Sequence, residues 1–236
     1  MIKITNIRVE GWEPAIRGMR NPMNSWEKSD SIFLYRYDDE TRAFDLFPCN
    51  TQIGPNDKKL MENLRDAGTD HSKYRRMIIV WCDILAPLYW WKEFDTYKVG
   101  TVANSCSTMH KIQEKEFTLD DFSHEHLDDE ETCYMEDVGD PHLNPAYTSL
   151  DILKIKIKAL NYWRDRYNAT KDKHAWYQMI QLLDSSYNQK RTVMLNYEVL
   201  ANIYPARKNH KLDEWHTFCD WIRELPESWI ITGEEE

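Results

Sequence analysis

Six residues in a short stretch bring together most of the polar chemistry a ligand site needs. Asn104, Ser105, Cys106, Ser107, Thr108 and His110 supply an amide, hydroxyls, a thiol and an imidazole. They follow an aromatic block, Tyr89-Trp90-Trp91 with Phe94 and Tyr97. A helix that only packs has no use for such groups at its end, whereas a pocket for a polar ligand does. Two further groups have suitable types. His71 lies in AGTDHSKYRRM, where a helix gives way to a strand. Asn196, Asn202 and Arg207 lie in LNYEVLANIYPARKNHKLDEW. There a fork-shaped guanidinium beside Lys208, His210 and Lys211 suits a phosphate. Compensation of a helix C-terminus on a wet surface is the plainer role for the same residues.

Other chemistries find less support. Cys106 has no His or Asp partner placed by spacing, so it is read as a structural thiol. Phosphate loops, dinucleotide fingerprints and nucleophile elbows are missing from the sequence. His124-Glu125-His126 has two metal-ligand types but no further ligand at fixed spacing, so no metal site is assigned.

Composition bounds the rest. A chain of 236 residues with ten Trp can build one generous core. The formal net charge of -10 opposes a broad grip on nucleic acid or anionic lipid. Five Cys, an odd number without CxxC spacing, fit a reducing compartment. The N-terminal MIKITNIRVEGW does not read as a signal peptide, and no run of about 18 apolar residues suits a membrane span. The expectation is a cytoplasmic protein without nucleic-acid or membrane partners.

The elements that must position these groups follow from periodicity. A strand is predicted over residues 2–9, a short helix over 15–19 and a second strand over 32–37, followed by a turn at 38–41. Asn56 is placed as cap of a helix over 57–67, stopped by Gly68. Residues 74–84 read as a central strand, and Pro87 suits the first turn of a helix to about Tyr97. Gly100 then bends the chain into a polar loop, TVANSCSTMH. Acidic residues crowd 118–142, which reads as a solvated, partly mobile insertion. Ser149 is placed as cap of a helix over 150–167, with Leu150, Leu153, Ile157, Leu160 and Trp163 as its apolar stripe. Helices are expected over 173–183, 189–204 and 211–224, with Pro226 as a stop. The fold class is α/β (α+β), a single domain over 1–236 with a central mixed or antiparallel sheet and a helix-rich C-terminal half.

The order of these segments resembles the flavin-dependent thymidylate synthases. Members show a junction His, a core strand, a Pro-led aromatic helix and a signature of the type R-H-R-x-x-S-x-N-E-x-S-x-R, then two Asn and an Arg. His71, Pro87, Asn104-Ser105-Cys106-Ser107, Asn196, Asn202 and Arg207 keep that order at nearly that spacing. The resemblance covers about residues 55–112 and 180–230. It implies FAD as cofactor, bound around His71, Asn104, Asn196 and Asn202. It implies dUMP as the nucleotide, near Lys98, Ser105, Ser107 and Arg207. It implies methylation of dUMP with methylenetetrahydrofolate and NADPH as co-substrates, in a homotetramer. No catalytic residue is assigned.

The signature also differs. Thr96-Tyr97-Lys98 stands for R-H-R, Ser105 for the Glu, and Met109 or His110 for the last Arg. A further family Arg falls near Ile180, and Glu198 replaces another. A catalytically degenerate relative, acting as a nucleotide- or flavin-binding or regulatory module, is the alternative. An unrelated interaction protein with an acidic partner-binding loop is a third.

Overall fold

The chain is described by a computed structural model covering residues 2–45, 48, 50–139 and 144–234. It is a mixed α and β fold. In chain order it runs β1 (Lys3–Glu10), α1 (Trp12–Arg20), β2 (Ile32–Leu34), β3 (Tyr37–Asp38), β4 (Ala43–Phe44), β5 (Asn50–Gln52) and α2 (Pro55–Asp66). Next come β6 (Ile79–Pro87), α3 (Leu88–Phe94), β7 (Val102–Ser105), β8 (Thr132–Met135), β9 (Ala146–Thr148), α4 (Ser149–Thr170) and α5 (Lys173–Leu182). Last are β10 (Asn188–Asn196), α6 (Tyr197–Arg207), α7 (Asp213–Arg223) and α8 (Trp229–Thr232). Four strands form the largest sheet in the order β1-β6-β10-β7, and β2-β5, β3-β4 and β8-β9 pair separately as antiparallel ribbons.

Two compact units are distinguished by their internal contacts. The first holds residues 2–3, 85–95 and 105–191. Its core joins Ile112, Phe117 and Phe122 to Leu153, Ile157 and Leu160 of α4 and Met179 of α5. The apolar stripe read from the α4 sequence is therefore the face that packs. The Trp91 indole donates to the Gln189 carbonyl at 2.9 Å, and the Arg191 guanidinium lies over its ring.

The second unit holds residues 4–84, 96–104 and 192–234. The edge of the Trp12 ring meets Tyr197 at 5.4 Å, and Trp215, Phe218 and Trp221 pack along α7. Arg20 and Asp57 form a buried ion pair at 2.7 Å. The second Asp57 oxygen accepts from the Ser29 and Ser31 hydroxyls and from the Asp30 and Ser31 amides. Two Arg20 nitrogens also donate to the Ser25 and Lys28 carbonyls. One carboxylate and one guanidinium thus hold the polar 25–31 loop.

Several expected elements lie elsewhere. Residues 189–196 are strand, because Gln189, Val193 and Leu195 are buried at period two. The helix begins only at Tyr197, and Pro205 sits inside it. Residues 73–77 form a 3-10 turn, so the central strand starts at Ile79 and runs to Pro87. Pro87 stands as the N-cap of α3, and α3 ends at Phe94 rather than near Tyr97. Asn56 does not cap α2; Gly54 is the cap residue and Pro55 follows it. Asp30 accepts from the Asn56 and Asp57 amides from across the unit. Thr148, not Ser149, caps α4 through a reciprocal box with Asp151.

The acidic segment is exposed from residue 125 to 139, as a solvated segment should be, and is anchored at its ends. Phe122 is buried and bridges Tyr187, and residues 132–135 pair with 146–148. Residues 140–142 of that segment lie outside the described residues, as does Cys49. Cys82, Cys106, Cys133 and Cys219 are free thiols. No helix among the described residues is long and apolar enough to cross a membrane.

Candidate functional site

Of the site residues read from the sequence, His71, Lys98, Asn104, Asn196, Asn202 and Arg207 belong to the second unit. Asn196 ends β10 and caps α6, its side-chain oxygen accepting from the Val199 amide at 3.0 Å. Its amide nitrogen faces Gly100, at which an added Cβ would stand 3.1 Å away. Gly100 also has a positive φ of 83°, so a side chain there would be strained as well as crowded. The Thr96–Asn104 segment therefore approaches the N-terminus of α6 by backbone, as a Gly permits.

Arg207 is the last residue of α6. Its Nε donates to the Tyr97 hydroxyl at 2.9 Å, and its guanidinium lies 4.6 Å from the Trp215 ring centre. Tyr97 and Trp215 meet edge to face. A planar cation is thus fixed between two aromatic groups, a placement that sequence spacing alone does not reveal. Lys208 and Arg223 nearby are balanced by Glu234, at 3.7 and 3.8 Å. The basic cluster read from the sequence is therefore partly neutralised by a carboxylate close to the chain end. Cys219 lines a hollow with Lys208, His210 and Arg223, and burial pushes its thiol up to about 11, well above neutral pH.

Below Asn196 lies a set of buried polar atoms that sequence reading missed. Ser72 is fully buried, and its hydroxyl has no partner among the described residues. Arg75 and Glu198 are 9% and 7% exposed. They approach each other at 3.9 Å, beyond a hydrogen bond, and Arg75 Nε and Glu198 Oε2 are otherwise without partners among the described residues. Buried polar atoms ordinarily find partners, and each left without one costs about 1–3 kcal/mol. The charge reversal at Glu198, where the resembled family carries Arg, is thus answered by Arg75. The only sequence hint was that reversal.

The remaining residues are placed more simply. His71 is exposed in the turn after α2. Asn202 is exposed on α6, and Lys98 is exposed before Gly100. Asn104 and Ser105 lie on the edge strand β7 rather than in a loop. The edge order follows from β10 being a strand, since the Cys106 amide donates to the Lys190 carbonyl. Asn104 belongs to the second unit, and Ser105 and Ser107 to the first. Ser107 accepts from the amides of Met109 and His110, closing a tight turn. Among the described residues, no three His, Cys, Asp or Glu side chains gather as metal ligands.

The fold has known counterparts. A thymidylate synthase X from Helicobacter pylori, solved with FAD and dUMP, superposes with a TM-score of 0.62 at 14% identity. The match covers 99% of this chain and 98% of that one. A UMP/dUMP methylase, PolB from Streptomyces cacaoi bound with 5-Br dUMP, gives 0.54 at 11% identity over 97% and 94%. The chain therefore has a fold like that of the flavin-dependent thymidylate synthases. No protein-family profile matches the sequence, and no curated protein matches it.

Proposed function

We propose that this protein is a thymidylate synthase-like flavoprotein. In this reading it binds FAD and dUMP and methylates dUMP to dTMP, with methylenetetrahydrofolate and NADPH as co-substrates. The observation that carries the reading is the under-bonded set of Ser72, Arg75 and Glu198. An N–H donor beside a carboxylate acceptor complements an imide edge, which offers a carbonyl beside an N–H. Flavin and uracil rings both carry that edge. The residues present thus suit the cofactor that the full-length structural likeness suggests.

FAD, when bound, supplies the hydride chemistry. The chain's own groups bind and orient. Arg75, as a donor, and Glu198, as an acceptor, would hold an imide edge of the ring. His71, Asn104, Asn196 and Asn202 would be the further residues to hold the cofactor. Arg207, held by Tyr97 and Trp215, fixes the nucleotide with Lys98, Ser105 and Ser107. The reading takes residues 1–236 as one functional chain, with 118–142 as an addition, in a cytoplasmic homotetramer.

A second reading is favoured by two positions. Ile180 packs against the apolar core of the first unit, and Met109 stands in a turn, where the resembled family has arginines. A relative without them could bind flavin or nucleotide without turnover. Incubation with FAD, NADPH, methylenetetrahydrofolate and dUMP separates the two. Formation of dTMP with release of the uracil C5 hydrogen supports the enzyme. Bound flavin without C5 hydrogen release supports the binding module. Absence of flavin binding removes both.

A further inference from the structure

A cavity of about 210 Å³ opens within the second unit, at the end of β1. The flavin reading gives no role to any residue that lines it. Val9, Trp12, Ile53 and Pro226 are among its apolar walls. Glu10, Glu227, Asn50 and Thr51 bring polar groups to it.

The walls are set by packing and hydrogen bonds. Gly11, between Glu10 and Trp12, has a φ of 98°, and an added Cβ would stand 2.0 Å from the Met77 carbonyl oxygen. Only glycine fits that turn, which carries Glu10 and Trp12 on either side of it. The Tyr197 hydroxyl donates to the Pro226 carbonyl at 2.5 Å, and the Tyr197 ring meets the Trp12 ring edge to face. The Trp229 indole donates to one Glu227 oxygen at 2.6 Å. Arg8, whose side chain is 60% exposed, donates to one Glu10 oxygen at 2.9 Å and does not line the cavity. Walls built in advance lose little freedom when a ligand arrives.

The lining separates ligand classes by charge and size. Among the described residues it holds two carboxylates and no Lys, Arg or His, so it opposes an anion. Its volume is below the roughly 300–1,000 Å³ of pockets for drug-sized ligands, so it suits a smaller molecule. A divalent metal asks for a cage of oxygens, whereas apolar side chains make up much of this wall and no three metal-ligating side chains gather among the described residues. The chemistry left is a small cation on an apolar stem. An ammonium has three donors and no acceptor, and Glu10, Glu227, Asn50 and Thr51 all offer acceptor oxygens. The methylenes of such a cation pack on apolar and aromatic walls while its head stays with polar groups.

We propose that this cavity binds a primary alkylammonium. Glu10 and Glu227 take the ammonium head, and Trp12, Val9, Ile53 and Pro226 take the methylene stem. The site does not rest on the flavin reading.

Butylamine, protonated at pH 7, is the probe, and n-butanol is its neutral counterpart. Each is titrated into the full chain at low ionic strength and followed by ligand-observed NMR. Butylamine should bind at least about tenfold more tightly than the alcohol. Glu10→Gln combined with Glu227→Gln should weaken it at least about tenfold. Each Gln keeps a side-chain oxygen for Arg8 or for the Trp229 indole, so the pair should melt as the parent does. Arg8→Gln should tighten binding, because it removes the cation that shares Glu10. Nα-acetyl-lysine amide separates two sources of the same chemistry. Tighter binding than butylamine names a protein's lysine side chain, weaker binding names a free amine, and either result supports the class. Unchanged affinity in the Gln pair overturns the site. Tetramethylammonium or n-butanol binding as tightly as butylamine overturns the hydrogen-bonded ammonium head. Displacement of butylamine by an equal concentration of sodium ions also overturns it, as an unselective cation patch.

Discussion

Two buried Arg–carboxylate pairs in the second unit are built in opposite ways. Arg20 and Asp57 touch at 2.7 Å, and the Asp57 carboxylate takes four further donors. Arg75 and Glu198 stand 3.9 Å apart, with a donor and an acceptor unmet among the described residues. Both pairs are buried, Arg20 and Asp57 at 3% and 0% exposed and Arg75 and Glu198 at 9% and 7%. The clearer difference between them is hydrogen-bond satisfaction. A fully bonded pair fixes a loop, whereas an incompletely bonded one costs stability and keeps its groups available for something else.

The largest effect should come from breaking the satisfied pair. Asp57→Ala strips one partner from Arg20 and leaves the 25–31 loop donors unmet. A loss of about 3–5 kcal/mol is expected, read from urea unfolding. Replacing both partners, Arg20→Met with Asp57→Leu, should still destabilise, because Ser29 and Ser31 lose their acceptor. Arg75→Met with Glu198→Leu should instead leave stability within about 1 kcal/mol or raise it. Equal losses in the two double variants would erase the comparison.

Acid should separate the pairs next. Burial works to raise the Asp57 carboxyl, but the Ser31 and Ser29 hydroxyls and Arg20 outweigh it and hold it below the usual carboxylate range. Its stabilising contribution is thus complete above the unfolded value of about 3.9 and is lost as pH falls through the lower folded value. Urea midpoints measured downward from pH 7 should drop in that acid window. The Asp57→Asn protein, already weaker, should show a flatter acid profile. A parallel profile would assign the acid loss to other groups.

A smaller effect is expected at the exposed rim. His71→Ala should change stability by no more than about 0.5 kcal/mol, since the side chain is exposed. It should nevertheless lower flavin occupancy. Unchanged occupancy would remove His71 from the cofactor site.

Much of the scaffold was legible because periodicity declares itself over long segments. The α4 stripe of Leu153, Ile157 and Leu160 is the face that packs, and Gly68 follows α2 where a stop was read. Residues 189–196 misled because a buried strand leading into a helix gives a continuous apolar pattern that fits either period. Asp30 took the capping role expected of Asn56, a long-range bond that local pattern cannot announce. The candidate site was legible in its residue types but not in its grouping. Arg207 reads in sequence as a phosphate-binding fork or a surface cation among other cations, and its rings, Tyr97 and Trp215, come from distant segments. Arg75 and Glu198 each looked ordinary, and only folding makes them a pair.

The most direct measurement is FAD binding, followed by visible absorbance, in the parent and in Arg75→Met with Glu198→Leu. The parent should take up FAD and show bound-flavin absorbance. The double variant should bind at least about tenfold more weakly while its stability stays within about 1 kcal/mol of the parent's or rises. A parent that stays colourless after soaking in FAD, or a double variant that binds as well as the parent, would contradict the assignment of this buried pair to a flavin-type ring.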